Sequence, residues 1–164
     1  MLHSSPRQSA LTAFGTSQKA PHKIADIKLQ DYPLIFHSFL ALLYGYVIFS
    51  RRSAAQIFDK LQQEGSPHAA HSLTPEAKKY IWNISWMLPT ISQRLPWRSD
   101  CTIQSIAAHT LLARRNINSD FYVGVRKDEQ NGLLAHSWLT CQGVYVTGYS
   151  EQKFSPILQP PASL

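Results

Sequence analysis

The hydrophobic rhythm of this chain changes once, near Asn116, and that change restricts the folds open to it. Upstream, apolar residues recur every three or four positions, most clearly at Ala77, Tyr80, Ile81, Ile84 and Leu88, which places them on one helical face. Downstream, short runs of β-branched and aromatic residues alternate with turn signals. Phe121-Tyr122-Val123-Gly124-Val125 reads as a buried-type strand, and Asp128-Glu129-Gln130-Asn131-Gly132 as a turn. Leu133 to Cys141 reads as a second strand, Gln142-Gly143 as a tight turn, and Val144-Tyr145-Val146 as a third strand. Helices followed by an antiparallel sheet predict an α+β fold.

The helical half divides further. Residues 1–30 are polar and rich in Ser, Ala, Gln and Lys, the composition of a loosely ordered segment. Residues 31–73 form a helical region. Within it 33–63 reads as a helical pair or one long helix, Pro33 suits a first turn, and Gly65-Ser66-Pro67 ends the pattern ahead of a polar linker at 64–73. The next helix is well signalled, with Thr74 as N-cap, Pro75 at the first helical position and Glu76 complementing the dipole. Trp82 and Trp86 lie on its second face, either as packing or as the wall of a peptide groove, and Pro89 bends or ends it. A further helix begins at Cys101, capped by Asp100 or Ser99. It runs through Ile103, Ile106, Ala107, Thr110, Leu111 and Ala113 to Arg114-Arg115, with Asn116 as a left-handed stop.

Nineteen residues from Tyr32 to Ser50 carry no formal charge, and Arg51-Arg52 follow at once. That is close to the ~20 apolar residues of a membrane span. His37, Ser38, Gly45 and Pro33 weigh against a span, and a helix apolar all round equally suits the centre of a helical layer. The buried helix is the expected reading, with the membrane segment as its rival. The first thirty residues show no unbroken apolar core of a secretory signal, so a cytoplasmic location with reduced thiols is expected.

Composition closes off several classes. At 164 residues and 44% apolar, the chain can bury one core, which excludes disorder and fibrous repeats. Cys101 and Cys141 are too few for a disulfide scaffold or a four-cysteine zinc module. The net charge of +6 fits an acidic partner or plain solubility. The cations are dispersed among elements without an aromatic platform, so no nucleic-acid partner is expected. There is no phosphate-cradling glycine loop, and neither a cofactor nor a metal site is implied; His68 and His71 stand in the linker without a second ligand pair.

One pair carries chemistry. Cys101 stands at a helix N-terminus, where unpaired N–H groups and the macrodipole favour a thiolate. His136 lies on the second strand, sharing a face with Leu134 and Trp138. A helix-borne cysteine opposite a strand-borne histidine is the layout of papain-like and transglutaminase-like cores, although spacing alone also fits coincidence. Cys141 falls on the opposite strand face and reads as a spare thiol, and His109, about two helical turns from Cys101, as a packed or surface histidine.

The surrounding residues narrow the field. Pro96-Trp97-Arg98-Ser99-Asp100-Cys101, the helix ending Leu111-Leu112-Ala113-Arg114-Arg115, Phe121 to Arg126, and Ala135-His136-Ser137-Trp138-Leu139 resemble the transglutaminase-like leader peptidases of lasso-peptide biosynthesis. Val146-Thr147-Gly148 and Phe154 to Leu158 resemble that family's tail. The resemblance covers 74–158 well and 33–63 more loosely. It implies N-terminal helices followed by a papain/transglutaminase-like core, residues 74–164, in which a Cys-bearing helix packs on a small antiparallel sheet. It also implies Cys101 as nucleophile, His136 as general base, and hydrolysis of the amide joining a leader peptide to its core. The Cys101 N–H would hold the oxyanion, with Gln93 or Trp97 as a candidate second donor.

The sequence departs from that family at the third member of the triad. An acid usually stands about twelve residues after the histidine, where this chain has Gly148, preceded by Thr147. Counting across the Gln142-Gly143 turn sets Gly148 and Tyr149 beside Ser137 and His136. Glu151 is the nearest acid and is taken as the candidate third residue; a backbone carbonyl, Thr147 or an amide could orient the ring instead. Asp100 is expected to cap the helix.

The resemblance also implies partners. These are a ribosomally made precursor peptide, a separate leader-recognition protein (the first 73 residues do not read as a compact recognition module) and an ATP-dependent lasso cyclase. Exposed tryptophan and the apolar 33–50 segment would be contact surfaces. Two alternatives stay open, another transglutaminase-like acyl-transfer enzyme and a non-catalytic scaffold that presents a precursor.

Overall fold

The computed structural model describes residues 32–64, 73–128, 132–150 and 152–158. The N-terminal segment, most of the linker with His68 and His71, the middle of the first hairpin turn, and Glu151 lie outside them.

The helical half is a pair and then two single helices: α1 (Tyr32–Arg51), α2 (Ala54–Glu64), α3 (Pro75–Ser92) and α4 (Cys101–Ala113). Ser53 separates the first two by a capping box. Its hydroxyl accepts from the Gln56 N–H at 3.4 Å, and the Gln56 side chain accepts from the Ser53 N–H at 3.2 Å. Thr74 caps α3 as expected, accepting from the Ala77 N–H. Pro89 does not end that helix, which continues to Ser92. Asn116, at φ 54°, closes α4, and the bonds Ile117 N–H to Leu112 O and Asn116 N–H to Ala113 O, both 3.0 Å, complete a Schellman motif.

The sheet has four antiparallel strands in the order β3-β2-β1-β4, namely β1 (Asp120–Asp128), β2 (Gly132–Cys141), β3 (Val144–Thr147) and β4 (Ser155–Leu158). The fourth strand is additional to the three expected. Pro156 hides it from the pattern and is tolerated because β4 is an edge strand. A register shift between Leu139 and Thr140 pairs Leu139 with Thr147 where Thr140 pairs with Tyr145. This bulge moves the β3 end one residue from simple counting, so Gly148 meets Trp138.

The central helix is α4, not the uncharged α1. Ile106, Ala107, Ala108, Leu111 and Leu112 of α4 are 2% exposed or less, and they join Leu42, Ile81, Ile84, Leu88 and Leu139 in one core. Expected as a buried helix, α1 instead buries only Ser38, Ala41, Leu42 and Gly45. That stripe of mostly small side chains lets the backbones close in: a Cβ on Gly45 would lie 3.0 Å from the Ile103 carbonyl oxygen. The other face exposes Tyr32, Phe36, Leu40, Leu43 and Tyr44. By length and composition alone, α1 could also cross a membrane. The tryptophans are correspondingly covered. Trp82 is buried against the 6.1 Å-distant ring of Trp86, and Trp97 lies under Phe39 and Tyr46, each 5.8 Å away.

Candidate active site

The site is built where α4 begins and β2 loses its neighbour. Asp100 is the N-cap, and its Oδ1 accepts from the N–H groups of Thr102 at 3.1 Å and Ile103 at 3.2 Å. Its own carbonyl accepts from the Gln104 N–H at 3.0 Å. The first-turn amides of a helix have no intrahelical acceptor, and the cap takes two of the three. The Cys101 N–H is left over, with no acceptor among the described residues. Asp100 is thus a cap, as expected, and the amide beside the thiol stays available to an incoming oxygen.

On the sheet, β3 ends at Thr147, so among the described residues no strand pairs with β2 on that side at His136 and Ser137. The start of α4 sits against that edge. Thr102 Oγ1 and Ser137 Oγ are 3.0 Å apart, and one turn further Ser105 Oγ lies 3.0 Å from Thr147 Oγ1. These two contacts fix the helix relative to the strand. They bring the Cys101 sulfur to three donors, the His136 ring, the Ser137 hydroxyl and the Ser137 N–H. Burial pushes the thiol up, but the donors outweigh it and bring Cys101 down to about 7.

His136 is held from three sides. Nε2–H donates to the Gly148 carbonyl oxygen at 2.7 Å, which leaves Nδ1 for the thiol. The Phe154 ring lies 4.9 Å away and Trp138 6.2 Å away; Trp138 itself stacks on Tyr122 at 5.4 Å and 3°. Gly124, paired with His136, makes room for this aromatic layer, since a Cβ there would lie 2.9 Å from both Phe154 and the Trp138 ring. The imidazole is pushed up from its ordinary value by its bond to Cys101. Burial opposes that shift and the Gly148 carbonyl adds to it. Both shifts favour a thiolate–imidazolium pair near neutral pH.

Gly148, twelve residues after His136, puts a backbone carbonyl beside the ring. Its φ of 71° and the space around it require glycine: a Cβ would fall 2.3 Å from the Ser137 carbonyl oxygen. Glu151, the expected third residue, lies outside the described residues. Gln93 is the exposed C-cap of α3, and the buried Trp97 indole N–H has no hydrogen-bond partner among the described residues. Ser137 was not singled out from sequence; the register that lays β2 beside α4 is what makes it a donor. His109 is buried, with Nδ1 3.0 Å from Ser119 Oγ. Cys141 is buried too. Its thiol donates to the Asn118 carbonyl at 3.1 Å, and burial together with Asp120 pushes it up to about 11. Among the described residues no three His, Cys, Asp or Glu side chains are grouped to hold a metal ion.

The architecture is a cysteine-bearing helix on a small antiparallel sheet with a strand-borne histidine, and the comparison with protein families agrees with it. The description "Transglutaminase-like superfamily" matches residues 41–159. The chain belongs to the transglutaminase-like superfamily. Searches of curated proteins and of solved structures gave no match. The matched region begins within α1 and ends just after β4, so it takes in the second half of α1 and all of α2 with the core. Membership supports cysteine-type peptidase or acyl-transfer chemistry in general.

Proposed function

We propose that the protein is a cysteine peptidase that cleaves the leader from a lasso-peptide precursor, with Cys101 as nucleophile and His136 as general base. The observation that carries the chemical reading is the clamp on His136, whose ring reaches Cys101 on one side and the Gly148 carbonyl on the other. The lasso-precursor specificity rests on the sequence resemblance around Cys101, Arg114-Arg115 and His136.

The Cys101 thiolate attacks the carbonyl carbon of the scissile amide, forming the S–C bond. The Cys101 N–H meets the developing oxyanion. Imidazolium His136 passes its Nδ1 proton to the amide nitrogen as the C–N bond breaks, and the core peptide leaves with a free amino terminus. His136, now neutral, takes a proton from water, which attacks the thioester; the leader leaves as a carboxylic acid and the thiolate returns. The Gly148 carbonyl keeps Nδ1 aimed at the sulfur throughout. It does this as a neutral dipole, in place of a carboxylate.

In this reading the protein works in the cytoplasm with a separate leader-recognition protein and an ATP-dependent lasso cyclase. The exposed apolar face of α1 is the surface offered to these partners. The test is incubation of purified protein with a precursor and recognition protein encoded beside it, followed by mass spectrometry. Cleavage between leader and core, lost in Cys101→Ala, is the expected result. Full processing by Cys101→Ala would leave a scaffold, and transfer of the leader to an amine rather than water would make the protein an acyltransferase.

A further inference from the structure

Beside the catalytic pair lies a cavity of about 210 Å³ that the proposed chemistry does not use. Its walls are Phe49 of α1, Ile57 and Phe58 of α2, and Val123 and Ala135 of the sheet. Thr102, His136 and Ser137 complete the lining. Thr102 follows the nucleophile in sequence, and His136 and Ser137 are both bonded to it. An occupant of the cavity is therefore attached within a residue or two of the carbon that Cys101 attacks.

The lining decides what that occupant is. The Thr102 and Ser137 hydroxyls are 3.0 Å apart, and with Ser137 donating to the Cys101 sulfur, Thr102 donates to Ser137. Among the described residues no acid, lysine or arginine lines the cavity, so a charged side chain entering it would be desolvated without a counter-ion from them. The volume is below the ~300–1,000 Å³ of clefts that take whole small molecules. It suits one side chain. We propose that this cavity is the specificity pocket of the enzyme and takes an uncharged aliphatic or aromatic side chain on the leader side of the scissile bond. The inference rests on the reading of Cys101 as nucleophile. It assigns α1 and α2, which carry none of the reacting groups, the task of reading the substrate.

Acetyl-dipeptide acyloxymethyl ketones test it without knowledge of the natural precursor. The thiolate forms a thioether bond to the methylene carbon and the carboxylate leaves, so labelling of Cys101 is scored by intact mass. Each of the two residues is varied in turn through Ala, Val, Leu, Phe and Asp, and every rate is divided by that protein's rate with iodoacetamide. At one of the two positions, Leu or Phe is expected to exceed Ala by about tenfold or more, the scale of a few methylenes in an apolar pocket, with Asp slowest. Ala135→Leu fills the cavity from an exposed strand position and is expected to reverse the order of Leu and Ala. Phe49→Ala, at a position already 37% exposed, is expected to flatten it. Equal rates across the series at both positions, or an order unchanged by both variants, would overturn the pocket while leaving the nucleophile in place. A Cys101 that reacts with neither iodoacetamide nor any ketone would overturn the catalytic reading and the pocket with it.

Discussion

Cys101 lies against β2 and Cys141 ends it, both lose water on folding, and burial pushes both thiols up. They end far apart, at about 7 and about 11. The difference is the direction of the hydrogen bonds. Cys101 meets donors, the His136 ring and the hydroxyl and N–H of Ser137, all of which favour the anion. Cys141 meets an acceptor, the Asn118 carbonyl, together with the charge of Asp120, and both favour the protonated thiol. Helix start against strand end, donors against acceptors: the polarity of the immediate neighbours, more than depth of burial, separates a thiol that can attack from one that fills space.

The largest expected effect is on turnover. Cys101→Ala lowers precursor cleavage by ~10³-fold or more, whereas Cys141→Ala changes it less than about threefold, as a residue packed away from the chemistry should. A rate assay on both variants checks this, and equal losses would collapse the distinction. His136→Ala comes next, lowering turnover by ~10²–10⁴-fold. It also moves the pH at which Cys101 becomes reactive. In the wild type, iodoacetamide labelling of Cys101 climbs as pH rises through about 7, while Cys141 stays protonated until about 11. At pH 8 only Cys101 should label. Removing His136 deletes a donor and leaves the burial, so the Cys101 midpoint rises. A midpoint that stays at about 7 would credit Ser137 and the helix start instead.

Much of this was legible in the chain. The switch of period near Asn116, the Thr74 and Asp100 caps and the Asn116 stop are local signals, and local hydrogen bonds realise each of them. The pairing of Cys101 with His136 came from motif order. What stayed hidden depends on contacts far apart in sequence. That α1 packs by one small-residue stripe depends on the Ile103 carbonyl it approaches, and an uncharged run reads the same whether it is central or peripheral. The bulge between Leu139 and Thr140 shifts one register, and no composition rule marks it. Ser137 becomes a donor to the thiol only once β2 lies beside α4, and the cavity beside it needs five elements to assemble. The capping box at Ser53 and Gln56, by contrast, is a local signal carried by the sequence itself.

The contrast also depends on what holds the imidazole, and Gly148 is where to disturb it. Gly148→Ala puts a Cβ 2.3 Å from the Ser137 carbonyl oxygen at a φ of 71°, so the strand end must move and take the orienting carbonyl with it. Positive φ alone costs ~1–2 kcal/mol, and misaiming His136 is expected to cost ~10–100-fold in turnover. Thermal melting and the rate assay read the two parts. A stable, fully active variant would show that the carbonyl is dispensable. Cys141→Ala is milder, lowering stability by ~1–2 kcal/mol through one lost hydrogen bond and a small void.

Glu151→Gln should do least. The Nε2–H of His136 already has a 2.7 Å acceptor in the Gly148 carbonyl, and a single N–H directed along that bond has no proton to give a carboxylate. Turnover within about twofold of wild type is therefore expected, with Cys101 labelling still centred at about 7. The midpoint is the sharper reading, because a carboxylate beside the ring would hold the imidazolium by charge, and removing that charge would lower the His136 value and raise the Cys101 one. A tenfold loss of turnover together with an upward shift of the midpoint would make Glu151 the orienting acid and reduce the Gly148 carbonyl to a packing contact. No change in either would mean that this chain aims its histidine with a backbone dipole, and that the Cys101 thiol is lowered without help from Glu151.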